Sequence, residues 1–156
     1  MDASYINPFI QGTQLVFTNL CGAAPSLGKL FVKKQPYSPS QVSVAVSLIG
    51  DITGEVVFSM KESDGCFIAS TMMFGMPVAA MDEMSQSAVS EMANMISGNV
   101  ATLFSGKGVK LDISPPRFKL NAGADDFPNA AALEKIISVP LNFQDEHSLE
   151  LDIMIK

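Results

Sequence analysis

The apolar positions of this chain recur with two periods, and the switches between them divide it into helices and strands. Over residues 2–21 (DASYINPFIQGTQLVFTNLC), Ile6, Phe9, Ile10, Phe17, Leu20 and Cys21 fall at helical spacing. Asp2 or Ser4 can cap the start, Pro8 fits a first turn and Gly22 suits the stop, while Gly12 weakens the middle. Residues 28–35 read as a short strand before the turn-rich PYSPS. Residues 41–49 then alternate strictly. Val42, Val44, Val46 and Leu48 occupy one face and Ser43, Ala45 and Ser47 the other, which predicts a half-buried strand. Gly50 to Gly54 turns the chain and residues 55–60 return it as a hairpin.

Helical signals come next. Residues 63–74 predict a short helix capped by Ser63 or Asp64 and stopped by Gly75 and Pro77. Asp82 caps a long helix that runs to about Ser105, with Glu83 favourably placed in its first turn and Gly106 and Gly108 at its end. A strand at 109–113, the interruption Pro115-Pro116, a strand at 117–120, a loop at 121–129 and two strands at 135–143 and 149–155 joined by the polar turn QDEHS complete the chain. Strands gathered beside helices without βαβ alternation imply an α+β fold: a two-layer α/β sandwich with a mostly antiparallel sheet of about six strands. The order helix, then strands, occurs twice and hints at internal duplication. At 156 residues the chain is read as one domain, 1–156.

Composition narrows the function. Hydrophobic residues make up 47%, enough for a substantial core. The net charge of −6 argues against a nucleic-acid partner, since nothing basic tracks a phosphate backbone. Cys21 and Cys66 are far apart among apolar residues and read as buried free thiols in a reducing compartment, and the lone His147 has no metal-ligand company. MDASYINPF has neither the basic start nor the apolar run of a signal peptide, and no stretch has the length of a membrane span, so a cytoplasmic protein with no membrane partner is expected.

One helix face stands out. On the long helix, Ser87, Glu91, Asn94 and Gly98 fall on a single line, opposite Val89, Met92, Ile96, Val100 and Leu103. An ordinary solvated face is one reading. Asn and Gly, however, cost about 0.6 and about 1 kcal/mol relative to Ala inside a helix, so stability alone does not select them. An amide holds a water by one end and aims it, a carboxylate pairs with a partner lysine, and a missing side chain at Gly98 lets another surface approach. Glu and Asn supply no activated covalent nucleophile, so the substrate would already have to be reactive.

Ser87-x-x-x-Glu91-x-x-Asn94 followed by Pro115-Pro116 resembles the signature of the CheC/CheX/FliY chemotaxis phosphatases. The INPFI of the first helix, the hairpin VSVAVSLIGDITGEVVFSM, the AAMDEM lead-in to the long helix and GVKLDISPP after it are similar to the CheX branch over nearly the whole chain. The resemblance implies a CheC-like fold and a phosphatase acting on the aspartyl phosphate of a CheY-like response regulator receiver domain. It implies that Asn94 positions the attacking water and that Glu91 docks to the receiver's lysine; Ser87, in the signature's first position, and Gly98, read from the helix line, are expected to bind substrate. It implies no cofactor of the chain's own, with Mg2+ supplied by the receiver, and a homodimer formed through sheet edges. The interval from Asn94 to the prolines is slightly shorter than the family's. The first helix reads GTQLVFTNL and lacks the second Glu-x-x-Asn of some relatives, which implies one site per chain. A noncatalytic module that binds a receiver or flagellar-switch protein is the alternative.

Overall fold

The computed structural model describes residues 3–33, 37–127, 136–144 and 146–155. Three helices form one layer: α1 (Ala3–Cys21), α2 (Glu62–Met72) and α3 (Glu83–Ser105). The strands are β1 (Ser26–Leu27), β2 (Phe31–Lys33), β3 (Val42–Gly50), β4 (Gly54–Met60), β5 (Leu111–Ile113), β6 (Arg117–Leu120), β7 (Ile136–Phe143) and β8 (His147–Ile155). A 3-10 turn spans Ala124–Asp126.

All the strand pairs are antiparallel, in one sheet of order β1-β7-β8-β4-β3-β5. β2 shares β7 with β1, and β6 shares β3 with β5, so each edge position is filled by two short strands and the sheet is six positions wide. The sheet order is symmetric about the β4–β8 pair. Each half runs helix, two short edge strands, long hairpin, and the edge strands of each half pair with the hairpin of the other.

The alternation read in β3 sets the main core. Val44, Val46 and Leu48 join Val56, Phe58, Leu151 and Ile153 beneath the helices. The opposite face departs from expectation. Ser43 and Ala45 are buried, because Tyr37 and Phe127 fold over that side and form a second cluster with Ala45, Val57, Ile136 and Met154. The Tyr37 and Phe127 rings meet edge to face, 5.3 Å apart. Tyr37 also donates to the fully buried Asp152 at 2.5 Å. Burial first, and then the charge of Asp152, push the Tyr37 hydroxyl's pKa far above its ordinary value.

Several local expectations shift. Ser4 lies inside α1 and does not cap it, and Asp2 is outside the described residues. Pro8 sits beyond the first turn of the helix. Of the strand expected at 28–35 only Phe31–Lys33 is strand among the described residues, with residues 34 and 35 outside that set, and a separate short strand, Ser26–Leu27, precedes it. Residues 128, 129 and 135 of the expected loop and strand also lie outside it. α2 begins earlier than expected, with Lys61 at its N-cap, and Asp64 is its third residue. The Asp64 carboxylate accepts from the N–H groups of Lys61 (3.3 Å) and Ser148 (3.2 Å) and lies 2.9 Å from His147 Nδ1. His147 stacks on Phe67 at 4.2 Å, so the lone histidine joins α2 to the start of β8. Cys21 and Cys66 are free but only half-buried, and desolvation raises both thiol pKa values.

Candidate functional site: the groove beside α3

α3 forms where its sequence says it should. The Asp82 carboxylate accepts the Ser85 N–H at 2.9 Å, and that backbone bond holds the Asp82 pKa below its ordinary value. The helix buries Val89, Met92, Ile96 and Val100 against the core. Its far side is polar. Ser87 and Glu91 are exposed and Asn94 is half-buried.

This polar side is one wall of an open groove of about 610 Å³. From α3 it takes Glu83, Gln86, Ser87, Ser90, Glu91 and Asn94. The facing wall is Ile113, Ser114, Pro115, Pro116 and Phe118, from the end of β5 through the start of β6. The structure therefore brings together Ser87, Glu91 and Asn94 with the two prolines that follow them in sequence. Gly98 is not part of the groove lining. A β carbon there would meet nothing within 4 Å, so no contact inside the chain requires glycine. Ser90 was overlooked by sequence reasoning, although its place three residues after Ser87 puts it near the same line. Ser114 and Phe118 could not be seen on a helical wheel, because a chain segment far along the sequence supplies them.

Among the described residues, neither the Glu91 carboxylate nor the Asn94 carboxamide takes an intramolecular hydrogen bond or ion pair. The groove lining contains two carboxylates, Glu83 and Glu91, and no lysine, arginine, histidine or cysteine. Such a site suits an incoming cation and can orient a water through an amide, and it offers no covalent nucleophile. Among the described residues no group of three or more His, Cys, Asp and Glu is placed to hold a metal ion. No described helix is long and apolar enough to cross a membrane.

Comparison with known proteins gives one consistent picture. The family described as chemotaxis phosphatase CheX has a model that matches residues 42–128, which contain the whole groove. The CheY-P phosphatase CheX of Thermotoga maritima is 26% identical over 156 residues, covering 100% of this chain and 98% of that protein. The CheX–CheY–BeF3–Mg2+ complex from Borrelia burgdorferi matches with 27% identity and a TM-score of 0.76, over 97% of both chains. A CheC-like superfamily protein from a Shewanella species shares the fold at 21% identity, with a TM-score of 0.79 over 100% of this chain and 99% of the other.

Proposed function

The chain belongs to the chemotaxis phosphatase CheX family, and from that membership we propose that it dephosphorylates the aspartyl phosphate of a CheY-like receiver domain, using Asn94 and Glu91. The observation that supports these roles is that both side chains stand in the groove without partners among the described residues, on a helix whose opposite face is locked into the core.

The chemistry fits the residues present. An acyl phosphate is labile, so hydrolysis needs little beyond an aligned water and stabilised charge. In this reading the Asn94 amide holds a water in line with the phosphorus. The water oxygen forms the new P–O bond, the bond between phosphorus and the aspartate oxygen breaks, and the aspartate leaves as a carboxylate. The water's protons leave with the phosphate as H2PO4−. The exposed Glu91 carboxylate pairs with the receiver's active-site lysine and fixes the docking register. Ser87 lies one turn before Glu91 on the docking face. Mg2+ belongs to the receiver. The same reading includes a cytoplasmic location and a homodimer, in which a second copy covers the exposed Leu27, Phe31 and Val32 of the β1–β2 edge.

The test is the rate of dephosphorylation of a phosphorylated CheY receiver with wild type and Glu91→Ala. The proposal expects clear acceleration by the wild type and a Michaelis constant raised about tenfold by Glu91→Ala, the loss of one interfacial charge pair. Hydrolysis no faster than the receiver's own rate sinks the phosphatase reading. Tight binding without turnover would establish the noncatalytic module instead.

A further inference from the structure

The proline wall of the groove has no backbone ladder behind it. β5 pairs with Leu48–Gly50 of β3, and β6 pairs with Val42–Ala45. Between them Pro115 and Pro116, which lack N–H donors, cannot continue the ladder. At Ser47 one side-chain bond and one backbone bond bridge the gap. The Ser47 N–H donates to Ser114 Oγ at 2.8 Å, and the Ser114 N–H donates to the Ser47 carbonyl at 3.0 Å. Arg117, the residue after the prolines, donates one guanidinium N–H to Ser47 Oγ at 3.0 Å and another to the Glu55 carboxylate. Glu55 lies on β4 directly opposite Ser47 and is only 4% exposed. A buried carboxylate is costly unless a cation and hydrogen bonds compensate it, so Arg117 is held where Glu55 is.

We infer that Glu55, acting through Arg117, is a positioning residue for receiver docking: it fixes the Pro115–Pro116 wall relative to Glu91 and Asn94 and so sets the fit of the groove. The inference rests on the phosphatase reading for its substrate but concerns residues that touch no substrate.

The opposite sheet edge holds a counterpart without this wall. There Asp152 on β8 lies opposite Ser138 on β7 and accepts from it, and Lys33 on β2 reaches Asp152 at 3.0 Å. The segment beside that cluster reads Leu30-Phe31-Val32, with no proline, and faces Ile6, Asn7 and Ile10 of α1, with no carboxylate among the lining residues. The Lys33–Asp152 pair is thus an internal control, with similar chemistry at the far edge from the groove.

The experiment measures KM and kcat on a phosphorylated CheY receiver, together with Kd for the beryllofluoride-activated receiver, in Glu55→Gln, Arg117→Met, their double variant and Lys33→Met. The expected result is KM and Kd raised about fivefold in each single groove variant, with kcat within about twofold. The double variant should be no worse than the weaker single, because both act through one clamp. Lys33→Met should keep KM near the wild-type value whatever stability it loses. Should Glu55→Gln fail to fold, Arg117→Met and Arg117→Lys carry the comparison at a half-exposed side chain, with lysine intermediate because it keeps the charge and loses the fork. Unchanged KM and Kd in the groove variants, or an equal shift in Lys33→Met, overturns the inference while wild-type turnover upholds the phosphatase reading. A wild type that binds without turning over removes that reading and leaves the clamp measurable through Kd.

Discussion

Gly12 of α1 lies against Val100 of α3, where a β carbon at position 12 would come within 2.9 Å of Val100 Cγ2. The glycine that weakens α1 on propensity grounds is a point where the two helices approach closely. α3 carries the proposed site on its other side, so this contact braces the site from behind. Gly12→Ala gains helix propensity of about 1 kcal/mol, but the new methyl meets a stiff β-branched side chain in a packed core, at a cost of about 1–3 kcal/mol. Chemical denaturation should show a net loss of stability, and Gly12→Val a larger one.

Gly98 provides the contrast. It lies on the same helix as Val100, and a β carbon there meets nothing within 4 Å. Gly98→Ala should therefore raise stability by about 0.5–1 kcal/mol. If a receiver passes close over this turn, the bulkier Gly98→Leu should raise KM for the phosphorylated receiver while stability stays at or above that of the wild type. Thermal unfolding and steady-state kinetics on the two variants separate these effects.

The cap of α3 gives a pH dependence of known sign. The Ser85 N–H holds the Asp82 pKa below its ordinary 3.8 in the folded chain. A depressed folded pKa means stability that is fully present above the unfolded value and is lost as pH falls through the folded one. Urea unfolding at pH 5 and pH 3 should show this loss in the wild type. Asp82→Asn keeps a competent cap without a titrating group, and should lose less stability over the same interval.

The local parts of this architecture were legible from sequence. Strict alternation located the β3–β4 hairpin, and a single aspartate before an apolar-periodic run located the start of α3, because both signals lie within a few residues of what they specify. The pairing of short edge strands with β3 and β7 was not legible, since Arg117–Leu120 and Phe31–Lys33 carry no mark of their distant partners. Nor was the second apolar cluster. Ser43 and Ala45 look solvent-facing until Tyr37 and Phe127 cover them from loops. At the site, helical geometry aligned Ser87, Glu91 and Asn94, while Gly98, on the same line, lies outside the groove lining, because the extent of the groove is set by a proline turn that a helical wheel cannot represent.

The central claim is that Asn94 performs the chemistry and is not needed for attachment. The direct measurement compares Asn94→Ala with wild type in two assays: single-turnover hydrolysis of a phosphorylated CheY receiver, and binding to the beryllofluoride-activated receiver. A misaligned water costs on the order of a hundredfold in rate, so hydrolysis should fall by about that factor while Kd stays within about threefold. Hydrolysis at the wild-type rate in Asn94→Ala would contradict the account.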